Sequence, residues 1–311
     1  MLKEILLQVE KPARYIGNEI NMVKKNPDDV DIRIAFCFPD VYEVGMSHLG
    51  LQILYYFFNR RVDTYCERCF APWYDMEEKM RENNIPLFAL ETGDALNKFD
   101  FVAFTLQYEM SYTNIINMLN LAGIPVWSAE RGEDDPIVIA GGPCAYNPEP
   151  LADMIDVFYI GEGEVSYDEF LDLYRNMKKA GCTKAEFLEK CLKIEGIYVP
   201  KFYDVKYKEN GEIESFTPNH PDAPKTIKKV IVKDMDTAFY PDKQLVPLIE
   251  TVHDRVTLEV FRGCIRGCRF CQAGYVYRPV REKSCDKLLG LADSLLKNSG
   301  QIGSVEISHI R

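Results

Sequence analysis

Residues 259–271 read EVFRGCIRGCRFC, and this stretch places Cys264, Cys268 and Cys271 directly after a short apolar run. The apolar residues from Val256 to Phe261 predict a strand, and the glycine-rich segment behind them predicts a loop. Thiolates that are three and four residues apart on one loop can converge on a single soft metal centre. Three such ligands suit a four-iron cubane in which one iron has no protein thiolate and can bind a substrate or a second cofactor.

The loop resembles the cluster-binding loop of radical S-adenosylmethionine (radical SAM) enzymes, which has the same cysteine spacing and an aromatic residue, here Phe270, before the last cysteine. The resemblance implies a 4Fe-4S cluster on the three cysteines, with S-adenosylmethionine chelated at the open iron. It also implies reductive cleavage of S-adenosylmethionine to a 5′-deoxyadenosyl radical, which would abstract hydrogen from a substrate carbon. An electron donor such as flavodoxin or ferredoxin would then be a partner. Phe270 would pack near the cluster, and its backbone would meet the adenine.

Basic residues outnumber acidic ones between residues 255 and 283, although the whole chain has a formal net charge of −11. Cations beside thiols lower the thiol pKa. We therefore expect Arg262, Arg266 and Arg269 to favour the binding of an anionic cluster.

Other metal centres fit the cysteines less well. A structural zinc site needs a fourth ligand, which Cys285 could supply, but zinc sites usually pair their cysteines in two C-x2-C units. An electron-transfer ferredoxin has a C-x2-C-x2-C-x3-C run, which is absent. Cys66 and Cys69 form one C-x2-C pair, which we interpret as ordinary thiols near a strand end. The functional alternative is a non-enzymatic module that holds a zinc or iron-sulfur centre.

Short apolar runs alternate with helical patterns through residues 1–182. Strands are predicted at residues 31–37, 62–66, 100–105, 136–140 and 156–160, and Ser47 is predicted to cap the helix that follows the first strand. The alternation predicts an α/β fold, a doubly wound parallel sheet with helices on both faces.

Ligands of such folds bind beyond the carboxyl ends of the strands. Two glycine-rich turns follow the last two predicted strands. They give the candidate cofactor-binding residues Gly141, Gly142, Pro143, Gly161, Glu162 and Gly163. The competing interpretation is that these residues only form tight turns between strand and helix.

The segment FPDVYEVGMSHLG (residues 38–50), together with the two glycine-rich turns, resembles the Rossmann-like, cobalamin-binding domain that precedes the cysteines in one class of radical SAM enzymes. The resemblance implies that the glycine-rich turns line a corrinoid. The cobalt-ligating motif reads D-x-H-x-x-G, and Met46 and Leu51 replace its flanking residues around His48. We therefore expect His48 to cap or pack at its helix. Cobalamin would bind without a histidine ligand, permitting methyl transfer or rearrangement, or the domain has kept the fold without the cofactor.

Residues 183–250 are predicted to form a connecting module, with a strand at 227–232 and no visible chemistry. Residues 251–311 predict a strand, a loop, a helix and a second strand, which is the opening of a radical SAM (βα) barrel. A full barrel takes about 250 residues. We therefore expect this barrel to be truncated and the chain to be a fragment or a truncated product.

The 311 residues are 47% hydrophobic and 12% aromatic, which is enough for the cores of two domains. No apolar run has the length of a membrane span, and the first residues do not form a secretory signal. Ten cysteines without such a signal predict a reducing, cytoplasmic location. The acidic balance does not indicate binding to nucleic acid. The sequence does not identify the substrate.

Overall fold

The computed structural model describes residues 2–253, 255–299 and 305–310. Six strands form one sheet in the order β2-β1-β3-β4-β5-β6. The first five strands run parallel, and β6 lies antiparallel to β5. The strands are β1 (Ile32–Phe38), β2 (Thr64–Phe70), β3 (Phe101–Thr105), β4 (Ile137–Gly141), β5 (Val157–Tyr159) and β6 (Ile197–Tyr198). The predicted doubly wound parallel sheet is confirmed.

Helices cover both faces of this sheet, as the alternation of apolar runs and helical patterns predicted. They bury the near-continuous apolar strands that are typical of a parallel sheet. The helices of this part of the chain are α1 (Leu2–Leu6), α2 (Tyr42–Met46), α3 (Leu49–Asn59), α4 (Tyr74–Asn83), α5 (Tyr112–Leu121), α6 (Tyr167–Ala180) and α7 (Lys184–Cys191).

Strand β2 lies later in the chain than predicted, because it includes the charged residues Glu67 and Arg68. Both side chains are buried and ion-paired. Glu67 pairs with Arg33, and Arg68 pairs with Glu19 and Glu91. The partners come from outside the strand, so the local pattern could not reveal that these charges belong to a buried strand.

Two local predictions were wrong. Helix α3 is capped by His48 and not by Ser47, and the short helix α2 precedes it. The strand predicted at 227–232 is absent from the described structure. Only an isolated bridge between Val230 and Gly161 forms there, because the backbone of this segment hydrogen bonds to the turn after β5.

The segment from residue 183 to 250 contributes to the sheet as well as connecting it to the rest of the chain. Helix α7 begins with a capping box between Thr183 and Glu186 and contacts α6, and β6 extends the sheet. The strands β7 (Tyr203–Tyr207) and β8 (Ile213–Pro218) form a separate hairpin. The division of the chain at residues 182 and 250 stays a prediction.

A second sheet in the order β10-β9-β11 follows, with β9 (Val256–Arg262) in the centre. Strand β10 (Arg281–Glu282) is antiparallel to β9, and β11 (Val305–Ile310) is parallel to it. The short helix α8 (Ala273–Val276) connects β9 to β10 in the chain, and the long helix α9 (Cys285–Ser299) connects β10 to β11. Helix α9 packs on β9 through Leu295. The predicted order of strand, loop, helix and strand is confirmed. None of the helices described is both long and apolar enough to span a bilayer.

Candidate functional site

A deep cleft lies at the carboxyl ends of β1, β3, β4 and β5. The space between its walls, with its open mouth included, is about 1080 Å³. Its inner wall is aromatic, with Phe36, Phe58 and Tyr167 among the lining side chains. This is the edge at which ligands of doubly wound sheets bind.

All six residues of the two predicted glycine-rich turns line this cleft: Gly141, Gly142, Pro143, Gly161, Glu162 and Gly163. Three of them also have a packing reason to be glycine, and at Gly163 a Cβ would lie 2.7 Å from a ring carbon of Tyr167. Gly142 has a φ of 109°, and a Cβ there would lie 2.8 Å from the carbonyl oxygen of Leu106. Gly161 has a φ of 134°, and a Cβ there would overlap with the backbone of Val230. At Gly141 the nearest atoms to a Cβ would be 3.6 Å away, which is an ordinary contact. The structure therefore brings the predicted residues together and gives the tight-turn interpretation a physical basis at three of them.

His48 stands at the wall of the same cleft and caps α3. Its Nδ1 accepts a hydrogen bond from the Leu51 N–H at 3.2 Å, and its ring packs against Phe38 with 5.3 Å between ring centres. Burial lowers the pKa of His48 to about 4, against an opposing contribution from Gln107. A neutral imidazole that accepts at Nδ1 carries its proton on Nε2, a tautomer assigned from this hydrogen bond. His48 therefore has no free ring lone pair for a metal, and the prediction that it caps and packs at its helix is confirmed.

The three predicted cluster cysteines lie on the segment from Gly263 to Tyr277, which we call the cysteine loop. Gly263 and Gly267 have φ values of 106° and 64°, so the chain bends there in conformations that favour glycine. The loop is closed at its base, where the N–H of Cys264 donates to the carbonyl oxygen of Tyr277 at 2.7 Å.

The thiols of the cysteine loop are accessible. Cys268 is exposed, Cys264 and Cys271 are partly exposed, and Phe270 is 93% exposed. Across residues 2–253, 255–299 and 305–310, no three His, Cys, Asp or Glu side chains lie close enough together to hold a metal ion. The side chains of the loop are therefore not drawn around a common point. The donor set nevertheless suits iron, because three soft thiols project from one glycine-hinged segment.

The other cysteines named above lie elsewhere. Cys66 and Cys69 are buried in β2, and burial raises the pKa of the Cys66 thiol well above its usual value. This burial fits the interpretation of ordinary core thiols. Cys285 is exposed at the first residue of α9.

Arg262 has a different environment from the one expected. Its guanidinium is buried and pairs with Glu259 and Glu164, so it does not present a free positive charge to the thiols. Burial by itself lowers the pKa of Arg262, but the attraction and hydrogen bonds of Glu164 and Glu259 together outweigh burial and raise that pKa. The sequence contained a signal for this pairing, because the acidic turn GEGE and the basic residues around the cysteines have complementary charge.

The cleft and the cysteine loop face each other. Val276 and Tyr277, at the end of the loop, line the cleft, and so does Lys229 from the connecting segment. The Lys229 Nζ donates to the carbonyl oxygens of Val276 and Arg278 at 2.9 and 2.7 Å. The sequence pattern did not single out Lys229 or Tyr277, because tertiary folding alone places them at the carboxyl edge of the first sheet.

Comparison with known proteins shows which family this chain is similar to. Residues 50–200 match the family described as radical SAM proteins, N-terminal. An uncharacterized protein of Methanocaldococcus jannaschii is 28% identical over 265 residues, which are 85% of this chain and 46% of the relative. The solved radical S-adenosylmethionine methyltransferase TsrM from Kitasatospora setae, with cobalamin and a 4Fe-4S cluster bound, superposes with a TM-score of 0.49 at 11% identity. That superposition covers 89% of this chain and 47% of TsrM. The chain thus spans about half the length of the proteins it matches.

Proposed function

From the match of residues 50–200 to the family described as radical SAM proteins, N-terminal, we propose that the chain provides the cluster site of a radical SAM enzyme. Cys264, Cys268 and Cys271 hold a 4Fe-4S cluster that leaves one iron for S-adenosylmethionine. When bound, these two groups supply a 5′-deoxyadenosyl radical for hydrogen abstraction. The observation that carries the proposal is the position of three accessible thiols on a loop whose end lines a cleft.

The residues of the chain have separable tasks in this proposal. The glycines of the cysteine loop let the backbone bend so that three sulfurs can turn towards one centre. The hydrogen bond from Cys264 to Tyr277 holds the base of the loop closed, and Lys229 anchors the returning chain. The aromatic wall of the cleft excludes water from the side on which a substrate or second cofactor would approach.

We further propose that the cleft binds a large, flat, mainly apolar ligand, for which cobalamin without a histidine ligand is the first candidate. The aromatic wall of the cleft and its place at the carboxyl ends of the strands support this class. The tautomer of His48 supports binding without a cobalt-nitrogen bond, since Nδ1 is engaged by Leu51 and Nε2 carries the proton. Gly141 offers a place where a ligand can approach the backbone, because the protein's own packing would leave room for a Cβ there and does not require glycine. With a corrinoid present, the site would suit methyl transfer or rearrangement.

Anaerobic reconstitution with iron and sulfide tests the cluster. We expect a 4Fe-4S centre whose electron paramagnetic resonance spectrum changes when S-adenosylmethionine is added. Zinc retained after aerobic purification, with no such change, would support the non-enzymatic metal module instead.

A visible absorption titration with hydroxocobalamin, followed by desalting, tests the cleft. We expect retained corrinoid in the unchanged chain and loss of retention in Gly141→Phe, because the new ring would project towards Tyr159 and Tyr167 into the cleft. Circular dichroism of the variant checks that the fold survives. An unchanged spectrum and no retention by the original chain would remove the corrinoid and leave a domain that has kept the fold alone.

A further inference from the structure

Six charged side chains are buried together at the base of the cysteine loop. Each is at most 17% exposed, and three acids are matched by three bases. We call this group the buried ion network, and its members are Glu162, Glu164, Glu259, Arg262, Arg281 and Lys283.

The network joins three parts of the chain. Glu162 and Glu164 come from the glycine-rich turn after β5, whereas Arg262 ends β9 immediately before the cysteine loop. Arg281 lies in β10, where the chain returns from the loop. The two arginines therefore flank the cysteine loop, Arg262 directly before it and Arg281 four residues after it. Each pairs with a glutamate of the turn that follows β5 in the first sheet.

The contacts are close and directional. Arg281 donates to both carboxylate oxygens of Glu162, at 2.6 and 2.8 Å, in the bidentate geometry that fixes orientation as well as distance. Arg262 donates to Glu164 from one terminal nitrogen and to Glu259 from Nε at 2.6 Å. Lys283 donates to the second oxygen of Glu259.

Glu162 is also held from its own side of the cleft. Its Oε2 accepts from the Val232 N–H at 2.7 Å, and its own N–H donates to the Val230 carbonyl oxygen at 3.0 Å. The carboxylate of Glu162 is thus engaged by protein groups, although the residue also lines the cleft. Glu162 can therefore act on the cysteine loop through Arg281.

Burial gives these pairs a structural effect that surface pairs lack. An exposed ion pair contributes little, because water and salt screen it. Removal of one partner from a buried pair leaves an uncompensated charge, so the surrounding structure must move to reach water or another partner. For Arg262 and Arg281, such movement would displace the ends of the cysteine loop.

We propose that Glu162 and Glu164 are positioning residues for the cysteine loop, holding the chain on either side of it through Arg281 and Arg262 so that its three thiols can be drawn to one centre when a cluster binds. The importance of this geometry for a cluster rests on the function proposed above. The geometry itself can be tested in the cluster-free protein.

Hydrogen-deuterium exchange of cluster-free protein is the primary test, with Glu162→Gln and Glu164→Gln as isosteric variants. We expect the amides of residues 263–277 to exchange roughly tenfold faster in both, since a charge-assisted hydrogen bond becomes a neutral one. Peptides from β3 should exchange as before. Glu169→Gln, the same change at an exposed residue on α6, is the matched control and should leave the loop unchanged. Glu164→Asp keeps the negative charge, and the amides of its cysteine loop should exchange at a rate between those of the original chain and Glu164→Gln. If a glutamine variant does not fold, the aspartate variant is used in its place.

Reconstituted protein provides the second readout. We expect the reduced cluster of Glu164→Gln to show an altered electron paramagnetic resonance spectrum and a more positive midpoint potential, because the removed anion leaves Arg262 with excess positive charge. Unchanged exchange of the loop in both variants would overturn the positioning role, and so would a uniform increase that includes β3. If the original chain takes up no cluster, the proposed function fails, whereas the exchange comparison still decides the role of the two glutamates.

Discussion

The backbone of Val230 crosses Gly161 so closely that the two residues share a parallel bridge and a Cβ at Gly161 would overlap with the Val230 carbonyl oxygen. This crossing fixes the connecting segment onto the turn that lines the cleft. The protein's own backbone therefore requires glycine at this position. From the sequence, ligand binding and a tight turn were both open as explanations for this glycine.

Replacement of Gly161 by alanine should therefore destabilise the fold. A positive φ of 134° and the overlap with Val230 together predict a loss of about 2–4 kcal/mol in the free energy of unfolding. Denaturant titration measures it. Gly181→Ala is the control, because Gly181 has a φ of 71° with no atom within 4 Å of a Cβ, and only about 1 kcal/mol should be lost. Equal losses at the two positions would show that the crossing imposes no constraint.

Single alanine substitutions of Cys264, Cys268 and Cys271 should each abolish stable uptake of four irons, since each thiol is one of only three protein ligands in the proposed centre. Cys285→Ala and Cys182→Ala, which change exposed thiols elsewhere, should retain full iron and sulfide content. Chemical iron and sulfide analysis after anaerobic reconstitution is the measurement. Loss of metal in Cys285→Ala would instead indicate a four-cysteine site of the zinc type.

The partly buried imidazole of His48 should make stability depend on pH. Its folded pKa of about 4 lies below the usual 6.5, so the unfolded chain takes up a proton between these values and the folded chain does not. Stability therefore falls as the pH is lowered from 6.5 through 4, by at most about 3.4 kcal/mol from this group. His48→Asn keeps a helix-capping oxygen and should flatten this part of the profile. The same change at exposed His253 is the control, and identical profiles for His48→Asn and the original chain would contradict the assignment.

Arg68 should be among the most sensitive residues of the first sheet. Its fully buried guanidinium neutralises Glu19 and Glu91, both fully buried, at 2.7 and 2.6 Å. Arg68→Met leaves two uncompensated carboxylates and should cost about 3–5 kcal/mol. Arg81→Met, which removes an exposed partner of Glu77 on α4, should cost about 0.5 kcal/mol or less. Denaturant unfolding of both variants measures these free energies. A small loss of unfolding free energy in Arg68→Met would mean that water reaches the side chains of Arg68, Glu19 and Glu91.

Local patterns were sufficient where a segment's neighbours in sequence decide its conformation. The strands β1, β3 and β9 follow from the apolar residues close by in the chain. Prediction failed where distant partners compensate a local cost. The charged half of β2 needed Glu19 and Glu91, and the segment at 227–232 hydrogen bonded to a turn almost seventy residues earlier.

The sequence by itself determined the α/β alternation, the glycine-rich turns at the carboxyl edge of the first sheet, and the spacing of three cysteines on one loop. These features depend on side-chain periodicity and on backbone conformations that glycine favours, which act over a few residues. Only the tertiary structure decided that Glu162 forms an ion pair with Arg281. It also decided that Arg262 pairs with carboxylates and does not lie free beside the thiols. Such pairings depend on which charges become buried together, and burial is a property of the whole folded chain.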